Sequence, residues 1–239
     1  MQLERLLQSQ GFGSRKQCRS LIETGRVAIA GQEVNNPRQY VDTDDLVFSV
    51  DGEDWRYRQH VVLMLHKPPG FECSRSPQHH ASVLSLLPIP LRERGVQPVG
   101  RLDQDTTGLL LLTDDGPLNH ALTHPRRHVP KTYRVTTARP ITETQCAELL
   151  AGVMLHGEPL PLAALVAQAV AECELRLTIS QGIYHQVKRM LAAVGNHVLA
   201  LHRESMGGMD LGGLPVGQWR YLDGSDLARI RGEAQLPLA

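Results

Sequence analysis

Leu3, Leu6 and Leu7 recur at helical spacing, and Gly11-Phe12-Gly13 ends the helix they predict. Ser14 then offers an N-cap, with Gln17 three residues on in the capping-box position. Cys18, Leu21 and Ile22 form the apolar stripe of this second helix, and Gly25 stands where a left-handed C-cap is expected. Residues 27–29, a turn at Ala30-Gly31 and Val34 predict a short hairpin, and residues 46–50 a further strand. The acidic, polar stretch 51–59 reads as a linker. From residue 60 the texture changes. An apolar run at 61–65 reads as a buried strand, stopped by Pro68-Pro69-Gly70. Leu109 to Leu112 is another, closed by Asp114-Asp115-Gly116. Residues 131–137 alternate like a strand, and 142–151 read as a helix with the box Thr142/Gln145 and Gly152 beyond its end. Residues 162–170 and 173–179 suggest a hairpin, 185–194 a helix ended by Gly195, and 197–201 a last strand. Strands joined by hairpins, with helices interspersed irregularly, favour an α+β fold with a mostly antiparallel mixed sheet over a doubly wound one. The expected domains are 1–59 and 60–239.

Composition narrows the class. Lys and Arg number 25 and Asp and Glu 25, which argues against a generic polyanion binder. The distribution by segment changes that picture. Residues 1–40 carry six basic side chains against three acidic, and 124–140 carry five basic and no acidic. Residues 41–60 and 141–186 are acidic instead. A charge run is also the ordinary look of a solvated face. No apolar run approaches the ~20 residues of a membrane span. The first ten residues lack the basic start and long apolar core of a signal peptide. Four cysteines at 18, 73, 146 and 173, with no CxxC, fit reduced thiols in a cytoplasm.

Three polar clusters could carry chemistry. The first is Gly100-Arg101-Leu102-Asp103-Gln104-Asp105-Thr106-Thr107-Gly108, running straight into the leucine strand. A loop anchored in that way can hold a reactive side chain. Two carboxylates at i and i+2 suggest an acid/base pair or a metal site, and a turn that satisfies its own backbone explains them equally well. The second runs from His124 to Arg134, where Arg126, Arg127, Lys131 and Arg134 flank Tyr133. That pattern suits phosphate contact and base stacking, or a solvated strand edge. The third is Gly182 to Met190, where Lys188 either faces a carboxylate or sits in solvent. His120, His124 and His128 are spaced like helical metal ligands, but Pro125 interrupts them and no second ligand set exists. No metal is therefore expected. No GxGxxG, Walker or nucleophile-elbow pattern is present.

These residues resemble the pseudouridine synthases. Gly100 to Leu110 resembles their central motif, His66-Lys67-Pro68-Pro69-Gly70 their first, Lys131-Thr132-Tyr133 the segment of their active-site tyrosine, and Gly182 to Leu191 their third. Residues 3–31, with Ser14-Arg15 and Gly25-Arg26-Val27, are similar to an S4 RNA-binding domain. That order resembles the RsuA-type branch, and the stretches at 113–116, 124–126, 185–190 and 193–198 resemble its small-subunit members most. The resemblance departs at Gln2, where S4 domains commonly have Arg, and at Ala30, where they have Asn or Asp.

The resemblance implies an isomerase that breaks the N1–C1′ bond of a uridine, turns the base and rejoins it through C5. It needs no cofactor. Asp103 is implied as nucleophile, Lys188 as the cation beside it, Tyr133 as the ring that stacks on the base, and Arg101 as the residue that fills the vacated space. RNA contacts are expected from Arg5, Ser14, Arg15, Lys16, Arg19 and Arg26 in the first unit. In the second they are expected from Lys67, Arg126, Arg127, Lys131 and Arg189. The implied substrate is uridine 516 of 16S rRNA, free or in a small-subunit assembly intermediate, acted on by a cytoplasmic monomer. The alternatives are a synthase for 23S rRNA or tRNA, and a non-catalytic S4-type assembly factor. An intact Asp103 disfavours the last.

Overall fold

The N-terminal leucines close into α1 (Leu3–Ser9) and the capped segment into α2 (Arg15–Glu23). The Ser14 hydroxyl accepts from the Gln17 amide while the Gln17 side chain accepts from the Ser14 amide, so the capping box is complete. Ala30 (φ 48) and Gly31 (φ 76) make the two-residue turn between β1 (Val27–Ile29) and β2 (Gln32–Glu33). A turn with φ positive at both centres matches the twist of a hairpin, and it is where Asn or Gly ordinarily sits. The computed structural model describes residues 1–124 and 127–233.

The segment 51–59 is not a linker. Asp51 (φ 54) and Gly52 (φ 80) form a second hairpin turn, and β3 (Val47–Val50) pairs with β4 (Glu53–Arg56). The acidic side chains obscured an Asp-Gly turn. Trp55 and Tyr57 pack against the buried cluster of Leu3, Leu6, Leu7, Cys18, Ile22, Val27, Phe48 and Val50. The sheet order is β2-β1-β3-β4. This unit comprises residues 1–61 and also 87–96, so the expected division at 59/60 misses one segment. The returning segment carries α3 (Ile89–Glu93), and Arg94 donates to the Gln10 side chain and the Arg58 carbonyl, both at 3.0 Å.

The second unit comprises residues 62–86 and the chain from 97 onward. Its strands are β5 (Val62–Lys67), β6 (Phe71–Glu72), β7 (Ala81–Ser82), β8 (Gln97–Pro98), β9 (Thr107–Thr113), β10 (Lys131–Thr137), β11 (Val166–Ala171), β12 (Glu174–Ile179), β13 (Val198–Met206), β14 (Met209–Asp210) and β15 (Trp219–Tyr221). Its helices are α4 (Gly116–Thr123), α5 (Glu143–Ala151), α6 (Gln186–Ala193) and α7 (Gly224–Glu233). Among the described residues the main sheet runs β11-β12-β10-β13-β9-β5-β15, with β14 on β13 and β8 on β9. Every pairing in it is antiparallel except β9 with β13. The α+β class with a mostly antiparallel mixed sheet is thus present. The strand expected at 197–201 continues to Met206, which matters below. α4 went unread in the sequence, although Asp115 caps it and a proline lies in its first turn. No described helix is long and apolar enough to cross a membrane.

The parallel pairing depends on one glycine. Gly108 has φ +108, and a Cβ there would lie 2.3 Å from the Arg203 carbonyl oxygen and 2.6 Å from its nitrogen. Neither backbone atom can swing aside as a side-chain tip would. Gly108→Ala is expected to cost more than about 3 kcal/mol, combining strain at positive φ with the clash. A urea midpoint within about 1 kcal/mol of wild type would contradict this.

Candidate active site

The loop 100–106 enters β9 at the middle of the sheet, and the first motif fastens it there. Lys67, at the end of β5, is fully buried. Its ammonium donates to the carbonyls of Pro68 (3.1 Å), Gln104 (3.1 Å) and Thr106 (2.8 Å). Burial pulls its pKa below the ordinary lysine value. The Gly70 amide adds a bond to the Gln104 carbonyl at 2.9 Å, and the Thr106 amide one to the Asp103 carbonyl at 3.1 Å. The Leu102 amide donates to the buried Cys73 sulfur at 3.4 Å. Lys67 was expected to contact RNA. The structure corrects this: all three of its donors are spent on backbone carbonyls out of reach of any ligand.

So held, Asp103 faces α6. Its Oδ2 lies 3.2 Å from Lys188 Nζ and its Oδ1 3.4 Å from His185 Nε2. Lys188 also bonds both oxygens of Asp105, at 2.8 and 2.9 Å. Burial works against the Lys188 charge, but bonds to Asp105 and Asp103 outweigh it and hold the ammonium above the ordinary lysine range. Asp105 is likewise pushed up by burial and pulled further down by Lys188. Lys188 is therefore a fixed cation and not a proton acceptor. The two carboxylates share it, so they are not a separated acid/base pair. Asp103 is the inner one, with its side chain 30% exposed against 62% for Asp105.

A cavity of about 220 Å³ opens beside Asp103. It is smaller than the ~300–1,000 Å³ clefts that take drug-sized ligands, which suits a single small ring. Arg101, Lys131, Tyr133 and Lys188 all lie on its wall, with Ile179, Leu201 and Met206 supplying apolar surface. Tyr133 is buried on β10 opposite Arg203 of β13. A bulge next to this pair leaves Glu204 unmatched and aims Arg203 inward. The apolar stretch 197–201 stops short of Arg203, so the sequence pattern does not single out this residue. At the mouth, the exposed Tyr184 ring stacks on His185 with centroids 3.8 Å apart and planes 17° apart.

The other expected contacts divide. Arg15 and Arg19 both bond the buried carboxylate of Glu4, whose pKa these bonds hold below the usual range, and each keeps an exposed edge. Arg5 and Lys16 are exposed, and Arg26 pairs with Asp51 at 2.6 Å. The Ser14 hydroxyl is engaged in its cap. Arg189 is occupied by Glu158 at 3.2 Å and by the carbonyls of His156 and Tyr184. Arg127 is exposed, and Arg126 lies outside the described residues.

Lys67→Met would take the ammonium from the carbonyls of Pro68, Gln104 and Thr106, of which Gln104 keeps its bond from the Gly70 amide. At about 1–3 kcal/mol per unmet polar group, a loss of at least ~2 kcal/mol and a Tm fall of roughly 4–8 °C are expected. Amide exchange at Gly70 and Thr106 should quicken. Unchanged exchange there would show that the ammonium does not hold the loop.

The sequence model described as "RNA pseudouridylate synthase" matches residues 61–193, and that described as "S4 domain" matches 1–47. A protein of Escherichia coli strain K12 named "Ribosomal small subunit pseudouridine synthase A" is 39% identical over 234 residues, covering 96% of this chain and 100% of its own. A Bacillus subtilis strain 168 protein named "Uncharacterized RNA pseudouridine synthase YtzG" is 38% identical over 231 residues, covering 95% and 97%. A solved structure titled "Crystal structure of pseudouridylate synthase" superposes with a TM-score of 0.68 at 34% identity, covering 95% of this chain and 98% of that one. A cavity built around one carboxylate, one fixed cation and one buried tyrosine thus coincides with matches along nearly the whole chain, which belongs to the RNA pseudouridylate synthase family and carries an S4 domain at its N-terminus.

Proposed function

We propose that the protein isomerises a uridine of ribosomal RNA to pseudouridine, at uridine 516 of 16S rRNA, with Asp103 as the nucleophile. The observation that carries this reading is the Asp103 carboxylate on the wall of a ring-sized cavity, 3.2 Å from the Lys188 ammonium, with Tyr133 on the same wall. The preference for small-subunit RNA rests on the name of the relatives in E. coli and Pasteurella multocida, 39% and 36% identical. The protein would work as a monomer in the cytoplasm, on free 16S rRNA or a small-subunit assembly intermediate.

The chemistry needs no outside reagent. The Asp103 carboxylate bonds C1′ as the N1–C1′ bond breaks, and the electron pair of that bond stays with the base. The ring turns within the cavity, C5 bonds C1′ and displaces the carboxylate, the C5 proton leaves and N1 takes one up. Lys188 holds the Asp103 carboxylate in a fixed direction, which lowers the cost of aligning it for attack. Tyr133 offers a ring face for the base. The uridine must first leave its stack, at a few kcal/mol, and Arg101 at the rim fills the space left behind.

Tritium release from RNA labelled at uridine C5 tests the nucleophile. Wild type should release label and Asp103→Asn should release none above background. Equal release would remove Asp103 from the role. Carbodiimide mapping in a strain lacking the gene should lose one signal, in 16S rRNA. A signal lost only from 23S rRNA or tRNA would replace the substrate.

The Glu4 clamp predicts how RNA is held. Phosphate contacts made by a preset pair of guanidiniums position RNA without reading bases. Arg15→Glu with Arg19→Glu should weaken binding and lower the slope of log K against log salt by roughly 2. Glu4→Gln adds positive charge yet should also weaken binding, because both arginines lose their anchor. Tighter binding by Glu4→Gln would show that bulk charge governs this surface.

A further inference from the structure

Asp103, Lys188 and Tyr133 leave two cations of the cavity lining, Lys131 and Arg203, without a task. Building on the reading of the site as a uridine isomerase, we propose that Lys131 and Arg203 form a cationic receptor for the uracil ring. They stabilise the negative charge that the ring carries while detached from the ribose.

Lys131 and Tyr133 are two apart on β10 and share a face, and Arg203 is the register partner of Tyr133 on β13. All three line the cavity. Arg203 is only 2% exposed. Its Nε donates to the Leu109 carbonyl at 2.7 Å, and its Nη2 is buried with no acceptor. Among the described residues Lys131 Nζ bonds the Val129 carbonyl alone, at 2.8 Å, which leaves two of its three donors. Among the described residues neither cation has a carboxylate partner. Elsewhere in this unit Lys188 is matched by Asp103 and Asp105, Arg189 by Glu158 and Arg231 by Asp115, while the buried Lys67 has all three donors taken by backbone carbonyls.

An unmatched buried charge costs several kcal/mol, and a group kept in that state calls for a ligand that completes it. Two such groups on one wall call for a negative ligand. Ile179, Leu201 and Met206 line the same space, which suits a flat ring with polar edges better than a phosphate. The reaction supplies such a ring. When the C1′–N1 bond breaks, its electron pair passes to the base and spreads over N1, O2 and O4, while Asp103 takes up C1′. Cations already in place in a dry cavity act most strongly on charge that develops during the reaction. Arg203, closed to water, contributes its field, and Lys131 contributes the free N–H groups.

Burial, with Arg203 beside it, draws the Lys131 pKa down to about 8. The receptor should therefore lose its charge as pH rises through that value. The other ionisable groups around the cavity are Arg101 and Asp103 before β9, His124 after α4, Tyr133 on β10, and His185 and Lys188 at α6. A pH limb carried by any of these would survive a change at Lys131.

The experiment measures kcat, KM and RNA affinity for wild type, Lys131→Met, Lys131→Arg and Arg203→Lys on C5-tritiated RNA, with urea midpoints to confirm folding. Lys131→Met should lower kcat by roughly 100-fold, the loss typical of one transition-state donor, with KM within about twofold. Lys131→Arg should recover at least tenfold of that loss. The fall of wild-type kcat/KM near pH 8 should disappear in Lys131→Arg, because arginine stays charged. A raised KM and a lowered salt slope at unchanged kcat would make Lys131 an ordinary phosphate contact and overturn the proposal. So would an alkaline limb that persists in Lys131→Arg. Release by Asp103→Asn at the wild-type rate would overturn the nucleophile assignment instead, without touching the receptor. If Arg203→Lys alone unfolds, the Lys131 pair still decides.

Discussion

The backbone contact between Gly108 and Arg203 is the constraint on which the catalytic unit depends. It is the parallel junction in an otherwise antiparallel sheet, and it is close enough to exclude any Cβ at position 108. The loop bearing Asp103 ends one residue before β9 begins, and the residue on the far side of the contact lines the cavity. The loop bearing Asp103 and the cavity wall are thus fixed by the same few backbone atoms. Catalysis that relies on alignment to within fractions of an ångström benefits from a site built on paired strands and not on a free loop.

Three lysines in this unit show how surroundings decide what one side chain does. Lys67 is buried among carbonyls and serves as a structural fastener. Lys188 is half-buried between two carboxylates, and their attraction overrides the desolvation that would discharge it. Lys131 is half-buried with a guanidinium for a neighbour and no carboxylate, so desolvation wins. Net charge counts these three alike. The balance of burial against partner separates them.

The parts legible in the sequence were those whose signals are local. Both capping boxes, the Gly25 and Gly152 helix ends and the Ala30-Gly31 turn depend on residues within four positions of one another, and all are present. The 51–59 segment was misread because six acids in twenty residues outweighed the Asp51-Gly52 pair, itself a local signal. The return of 87–96 to the first unit depends on Gln10 meeting Arg94, a contact spanning 84 residues that no pattern announces. Lys67 is buried against expectation, because a lysine is almost never fully buried and nothing in its neighbourhood signals the three carbonyls it meets. The pairing of Asp103 with Lys188 joins residues far apart in sequence; the residues alone leave Lys188 either against a carboxylate or in solvent, and only the family resemblance names Asp103. Arg203 was hidden by a strand that ran five residues further than its apolar stretch. A charged residue on the buried face of an alternating strand would have been the signal.

A chain with zero formal charge can still hold RNA, provided that its charges are arranged and not merely present. In the first unit a buried carboxylate gathers two arginines onto one spot, trading one unit of net charge for a fixed spacing between guanidiniums. A bulk-charge binder gains from every added lysine and follows the polyanion wherever it runs. A preset pair gains only where two phosphates fall at the matching distance, which makes binding depend on the fold of the RNA. In the catalytic unit the same economy recurs at smaller scale. Lys188 is matched by its two carboxylates, whereas among the described residues Lys131 and Arg203 on the same cavity have none. With the proposed receptor, the buried cations of this unit follow one rule: each is matched by the protein or completed by the substrate.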